Sequence, residues 1–263
     1  MKQFILENEP DTDGGVRLEG KDYNYLVRVR RLAPGECFPA LLPGGAKVSV
    51  RVESVDNRAL TGRVFQGGPG GGKTACQALP PVVLFQALPK GEKMDLIVRQ
   101  AAEGGIEEIV PFASEFSAAK TAGTGGQKFS RWERIIREAR QQSGSAAETA
   151  LRQPLALDGL FAHWEDIKKR QPGALGLLFH HLPLAYESLH GYLNIQPPAV
   201  VLAIGPEGGF SPAEADRFMA AGFKPFTIGD TIFRTETAAL YAQAAVRILL
   251  LERDSWEAKQ PQT

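Results

Sequence analysis

Residues 204–211 read Ile-Gly-Pro-Glu-Gly-Gly-Phe-Ser, and residues 228–238 read Ile-Gly-Asp-Thr-Ile-Phe-Arg-Thr-Glu-Thr-Ala. Each stretch leaves an apolar run through a glycine turn and leads into a helical pattern, the place where open α/β sheets hold ligands. Glycines at 205, 208 and 209 permit positive φ and let the main chain approach a bound molecule closely. Pro206 stiffens the first loop and Glu207 places a carboxylate in it, while Arg234 and Glu236 stand beside the second. Three glycines, a proline and an acid together suit ligand binding better than a bare turn. The plainer readings are a tight strand-to-helix turn with no ligand, and a capped helix whose Arg234 and Glu236 form a surface ion pair worth little.

Other candidate chemistry is weaker. Gly-Gly-Pro-Gly-Gly-Gly-Lys-Thr at 67–74 formally fits the phosphate-loop pattern GxxxxGK[ST], in which Lys73 and Thr74 would serve nucleotide and magnesium. That motif needs a helix opening at Lys73, and Ala-Cys-Gln-Ala-Leu-Pro-Pro at 75–81 leaves no room for one. The four histidines, His163, His180, His181 and His190, lack carboxylate or cysteine companions at metal spacing, which predicts no metal. His180 and His181 follow a buried strand and fall near the ligand edge, although packing is the commoner fate of such histidines. Cys37 and Cys76 are far apart and belong to no CxxC pair, so no disulfide framework is expected and a reducing compartment fits.

The elements that must carry these loops follow from the punctuation. Residues up to about 65 alternate short apolar runs with Pro-Gly and Asp-Asn turn signals, the pattern of a small antiparallel β barrel or sandwich. A glycine-saturated break at 66–72 reads as a linker or hairpin tip. Beyond it, apolar strands are expected at 81–88, 106–112, 174–179, 199–204 and 226–228. Helices are expected at 92–103, closed by Gly104-Gly105, at 130–142, from Ser211 to near Gly222, and at 235–251. Ser211-Pro212-Ala213-Glu214 is a capping box with proline at the first helical position. Strands alternating with helices define an α/β domain with a mostly parallel sheet over 76–263, preceded by a β domain over 1–75. The last helix is apolar almost all round, as in a core or a subunit interface.

Charge sets further limits. Across 263 residues, 30 Lys and Arg balance 30 Asp and Glu, which excludes a uniformly basic coat but not a local basic face. No apolar run is long enough to span a bilayer, so a soluble cytoplasmic protein is expected, with no membrane partner. In the helix at 130–142, Trp132, Ile135, Ile136 and Ala139 form one apolar stripe, and Arg131, Arg134, Arg137 and Arg140 wind across the rest. Those arginines suit a phosphate backbone; a solvated helix paired internally through Glu133 and Arg137 is the alternative. Arg17, Lys21, Arg28, Arg30 and Arg31 make a second basic cluster beside Tyr23 and Tyr25, whose rings suit unpaired bases. On a strand, Arg28 and Arg30 would share one face and Arg31 would take the other.

The two glycine loops together resemble the C-terminal motifs of the RsmE-type ribosomal RNA methyltransferases, in the SPOUT class. Asn-Tyr-Leu-Val-Arg-Val-Arg-Arg at 24–31, Lys-Gly-Glu-Lys-Met-Asp at 90–95 and Gln-Gln-Ser-Gly at 141–144 fall in that family's order. The resemblance implies a PUA-like β barrel that binds RNA, followed by a methyltransferase domain tied in a trefoil knot, an exception to the rule that chains avoid knots. It further implies a homodimer and methylation of uridine N3 in 16S rRNA of the small ribosomal subunit, with S-adenosylmethionine as donor. His180, Gly205, Glu207, Gly208, Ile228, Gly229, Ile232, Phe233, Arg234 and Thr237 would line or support the cofactor pocket. Arg17, Tyr25, Arg28, Arg31, Arg131 and Arg134 would contact RNA. Arg234 would steady negative charge developing on the uracil carbonyls, with Glu207 or Glu236 as proton acceptor. The chain departs from the family at Tyr25 for histidine, Gly104 for leucine, Phe116 and Ser145 for arginine, and Phe233 for leucine. Because the departures fall largely on the RNA side, a non-catalytic RNA-binding assembly module stays open, as does, more remotely, a nucleotidase acting through 67–74.

Overall fold

The computed structural model describes residues 4–65, 79–117, 126–180, 188–227 and 231–256, with side chains in the last segment to residue 252. The chain divides into two units. One gathers Met1–Cys76 with Arg140–Glu148, and the other takes Gln77–Ala139 with Thr149–Thr263. The sequence pattern places 140–148 in the α/β domain expected over 76–263. The linker expected at 66–72 lies outside the described residues.

The first unit holds β1 (Phe4–Ile5), β2 (Gly15–Glu19), α1 (Gly20–Tyr23), a π-helical turn (Asn24–Val29), β3 (Cys37–Leu41), β4 (Lys47–Val55) and β5 (Ala59–Phe65). Its five-stranded sheet runs β1-β3-β4-β5-β2, antiparallel except where β1 lies parallel to β3. Phe4, Leu18, Phe38, Val50 and Leu60 fill its core, and Tyr23 and Leu26 from the helical turns close it.

Here one sequence expectation is corrected. Residues 24–29 are helical, not a strand, because Tyr23 and Leu26 are three residues apart and both face the core, a spacing that a period of two cannot satisfy. The Arg30 N–H bonds to the Tyr25 carbonyl at 2.9 Å, and Arg31 ends the turn in the left-handed region at φ 57°. Arg28 and Arg31 are consequently exposed, whereas Arg30 is partly covered.

In the second unit every strand pairing is parallel. The elements are β6 (Val82–Ala87), α2 (Lys93–Glu103), β7 (Glu108–Ala113), α3 (Gly126–Ser143), β8 (Ala150–Leu151), β9 (Leu155–Ala156) and α4 (Leu157–Arg170), then β10 (Leu175–Phe179), α5 (Leu189–Asn194), β11 (Val200–Ile204), α6 (Pro212–Ala220), β12 (Lys224–Phe226) and α7 (Thr235–Trp256). The sheet order is β12-β10-β11-β6-β7-β8, with β9 also on β7. The sequence placed a strand over 226–228; the observed strand lies at Lys224–Phe226.

Side chains alternate between the two faces, so a strand apolar throughout needs cover on both. Val82 and Leu84 of β6 join α2, α3, α5 and α7 in one core, while Val83 and Phe85 join α4 and α6 in the other. Helix α4 escaped the sequence reading, although Leu160, Trp164 and Ile167 mark it with helical spacing. Gly105 follows α2 at φ 75°, and the capping box on α6 is complete.

Gly176 shows how tightly the second core is filled. A Cβ there would lie 2.9 Å from the Phe223 ring. Gly176→Ala should therefore lower stability by about 1–3 kcal/mol in urea unfolding. Unchanged stability would mean that Phe223 yields freely.

Candidate active site

Strands β10, β11 and β12 run in one direction, so their C-terminal ends share one edge of the sheet. The loop after β11 and the segment leading into α7 meet there around a cavity of about 250 Å³. Its walls include His180, Gly205, Glu207, Gly208, Ile232 and Phe233, all expected from the sequence at one site. Ile228 and Gly229 lie outside the described residues, as do His181 and the stretch 67–74. Arg234, just before α7, and Glu236 and Thr237 in its first turn lie next to the cavity without lining it.

Two sets of polar contacts fasten these loops. The Thr235 hydroxyl donates to the Gly205 carbonyl at 2.6 Å and accepts from Gln86 Nε2 at 3.0 Å. Thr235 is 3% exposed and Gln86 0%, so water cannot substitute for either partner. The second set centres on Lys93 at the start of α2. Its Nζ lies 2.6 Å from Glu207 Oε1 and 3.9 Å from Glu236 Oε2, and Glu207 also accepts the Lys90 N–H at 3.0 Å. One ammonium thus joins the α2 start, the glycine loop and the first turn of α7.

Burial would raise the Glu207 carboxyl, but hydrogen bonds from Lys93, its own main chain and the Lys90 N–H outweigh that and hold it below the usual carboxylate range. A carboxylate so engaged is a poor proton acceptor. Glu236 differs: its Oε2 is buried and has no hydrogen-bond partner among the described residues, with the Lys93 ammonium 3.9 Å away. Arg234 is exposed and forms no ion pair among the described residues, so the surface pair with Glu236 is not made.

The glycine loop is built for close approach of a ligand. A Cβ at Gly205 would lie 3.2 Å from the Gly209 main chain, so a side chain there would crowd the loop against itself. Phe179 and Phe233 stack with ring centroids 6.4 Å apart on the apolar side, and Ala238 adds a small apolar surface. An apolar slot beside bare main chain fits a nucleoside with a short polar tail.

Lys93, Gln86 and Thr235 had no assigned role in the sequence reading. Signals existed for two of them. A lysine in the first turn of a helix opposes the dipole and needs an acid from elsewhere, and a glutamine in an otherwise apolar buried strand needs a polar partner.

The expected RNA-contacting residues are scattered over both units. Arg17 pairs with Glu19 at 2.6 Å, and the Tyr25 ring stacks on Phe4 with centroids 6.5 Å apart. Arg28 and Arg31 are exposed. Arg131 is bound to Asp95 at 2.5 Å with Glu92 at 3.6 Å, while Arg134 lies 3.8 Å from Glu138. Much of the positive charge on α3 is therefore compensated within the protein. His163 is a packing histidine, hydrogen-bonded to Glu108 at 3.0 Å. Among the described residues no group of His, Cys, Asp and Glu could hold a metal ion, and no helix is long and apolar enough to cross a membrane.

A parallel α/β sheet with a glycine-built pocket at its strand ends is the frame of several enzyme classes, and comparison with known proteins selects among them. Residues 77–247 match the model of the RNA methyltransferase domain family. The chain is 31% identical over 251 residues to ribosomal RNA small subunit methyltransferase E of Synechocystis sp., an alignment covering 94% of this chain and 78% of that one. The Mycobacterium tuberculosis protein of the same name is 28% identical over 253 residues, covering 96% and 93% of the two chains. A methyltransferase from Legionella pneumophila, solved in complex with the bound cofactor SAM, superposes with a TM-score of 0.72 at 27% identity, covering 94% of this chain and 96% of that one. This chain is an RNA methyltransferase-domain protein. It belongs to the ribosomal RNA small subunit methyltransferase E family.

The Lys93–Glu207 contact gives a pH signature. A carboxyl held low when folded contributes stability above its unfolded value and loses it as pH falls through the folded one. S-adenosylhomocysteine affinity, measured by calorimetry, should stay flat from pH 8 down to the ordinary carboxylate range and fall only below it. Glu207→Gln should bind more weakly at neutral pH and lack that acid step. A wild-type affinity that falls steadily between pH 7 and 5 would contradict the assignment.

Proposed function

We propose that this protein transfers a methyl group from S-adenosylmethionine to N3 of a uridine in 16S rRNA of the small ribosomal subunit, in the cytoplasm. The observation that carries the reading is the pocket between the glycine loop and α7, where Gly205, Gly208, Phe179 and Phe233 offer main chain and apolar surface together. Relatives named for methylation of small-subunit rRNA support the substrate. When bound, the sulfonium cofactor supplies an already activated methyl group, so positioning accounts for much of the acceleration.

The chain's own groups then have distinct tasks. Gly205, Gly208 and the apolar rings hold and shape the donor site, with Ile228, Gly229, Ile232 and Thr237 completing or supporting it. Arg234, exposed beside that site and without an ion pair among the described residues, steadies the charge that develops on uracil as the N3 proton leaves. Glu236, the carboxylate in the first turn of α7 beside the site, is the proton acceptor in this reading. Glu207 fastens the loops through Lys93 and takes no part in proton transfer. Arg28, Arg31 and Tyr25 on the first unit, a PUA-like RNA-binding fold, contact the RNA backbone and bases.

Helix α7 supports the expected homodimer. Tyr241, Ile248 and Leu251 are 48%, 52% and 56% exposed, and Ala244 lies on the same helical stripe. An apolar stripe beside the pocket suits a second copy of this chain.

Incubation of rRNA or small subunits lacking the modification with labelled S-adenosylmethionine, followed by nucleoside digestion, should give 3-methyluridine. Label confined to another nucleoside would redirect the assignment. Arg234→Ala should lower turnover about a hundredfold or more while leaving S-adenosylhomocysteine affinity nearly intact; wild-type turnover would remove Arg234 from the mechanism. In analytical ultracentrifugation the wild-type protein should sediment as a dimer and Ile248→Asp as a monomer. A monomeric wild type would refute the dimer.

A further inference from the structure

Close to the glycine loop stands an aromatic side chain that neither the pocket nor the core uses. Phe116 follows β7 in the turn at 114–117 and is 46% exposed, with no ring contact to another aromatic among the described residues. It lies against Gly208, one of the residues lining the cavity. A Cβ at Gly208 would come within 3.0 Å of Phe116 Cβ and 3.3 Å of its Cγ, so the two positions are fitted to each other.

An exposed phenyl alone means little, since single apolar residues on a surface are common. The turn that carries this one, however, is firmly anchored. Glu214, 5% exposed, accepts the Ser114 hydroxyl at 3.1 Å on Oε2 and the Glu115 N–H at 2.9 Å on Oε1. The same Oε2 accepts the Ser211 N–H at 3.0 Å in the capping box of α6. Ser117 closes the turn further: its hydroxyl accepts the Ser114 N–H at 3.1 Å, and its N–H donates to the Ser114 carbonyl at 3.0 Å. One buried carboxylate therefore fixes the helix that follows the glycine loop and the turn that holds Phe116 over that loop.

We propose that Phe116 is a stacking platform for an unpaired base of the RNA substrate, holding it at the mouth of the pocket. This rests on the RNA methyltransferase reading above. A rigid aromatic face suits a splayed-out base, because every base offers a π-face and the ring has little conformational freedom to lose. The Arg234 guanidinium, which forms no ion pair among the described residues, supplies charge at this sheet edge, so the platform itself needs none. Phe116 acts by positioning RNA and is not among the residues that line the cavity.

The test compares wild type with Phe116→Ala, Phe116→Leu and Phe116→Trp. Three quantities are measured: S-adenosylhomocysteine affinity by calorimetry, binding of a fluorescent oligouridylate by anisotropy with S-adenosylhomocysteine present, and KM and kcat for methyl transfer to rRNA. Affinity for S-adenosylhomocysteine should be the same in all four proteins, which also certifies their folding. RNA affinity and kcat/KM should fall roughly ten- to hundredfold in the alanine and leucine variants and be restored by tryptophan. Leucine behaving as wild type would overturn the platform, since bulk alone would then suffice. So would equal RNA binding by all four, or a dimer that dissociates in the alanine variant, which would place Phe116 at a subunit contact. If RNA binding follows the expected order but wild type transfers no methyl group, the methyltransferase reading fails and the platform stands.

Discussion

The Thr235 hydroxyl sits where three pieces of chain must agree. It accepts from Gln86 in the middle of the sheet and donates to the Gly205 carbonyl at the start of the glycine loop, and its own backbone opens α7. Parallel strands are tied to one another by regular ladders, but the loops leaving their ends are not. A buried hydroxyl that bridges two of them replaces the missing ladder. Because it is shielded from water, leaving either neighbour unpaired would cost about 1–3 kcal/mol.

The charges around this junction serve the same end. Lys93 begins α2, where a cation is disfavoured by the helix dipole, and it stays because Glu207 and Glu236 converge on it. Glu207 is mostly occupied in holding the glycine loop, whereas Arg234 is exposed and forms no ion pair among the described residues. Just beyond that loop, Glu214 in the first turn of α6 ties this helix to the turn after β7. Fixed loops present a site that loses little freedom on binding, the condition under which modest contacts give useful affinity.

Much of this was legible in the residues. The buried strands, the α6 capping box and the pocket at the glycine loop follow from apolar runs, Ser211 with Glu214, and the glycines at 205, 208 and 209. The helical turn at 24–29 is not legible in the sequence, since Tyr25, Val27, Arg28 and Val29 suit a strand equally well and only the burial of Tyr23 with Leu26 decides. The charge on α3 was legible as composition but not as availability: Asp95, on a different helix, compensates Arg131. Long-range partners of that kind, such as Lys93 with Glu207 or Gln86 with Thr235, depend on topology, which a single sequence does not display. The polar residue in an apolar strand announced only that some partner was needed.

The direct test of this account is to remove the Thr235 hydroxyl while keeping its bulk. S-adenosylhomocysteine titration of Thr235→Val, beside Thr235→Ser as the variant that retains the hydroxyl, reads the junction through the pocket it organises. The account predicts at least a tenfold weaker affinity for valine, near-parental affinity for serine, and unchanged far-ultraviolet circular dichroism in both. Parental affinity in the valine variant would contradict it, because the loops would then be held in register by something other than the bond from Thr235 to Gly205.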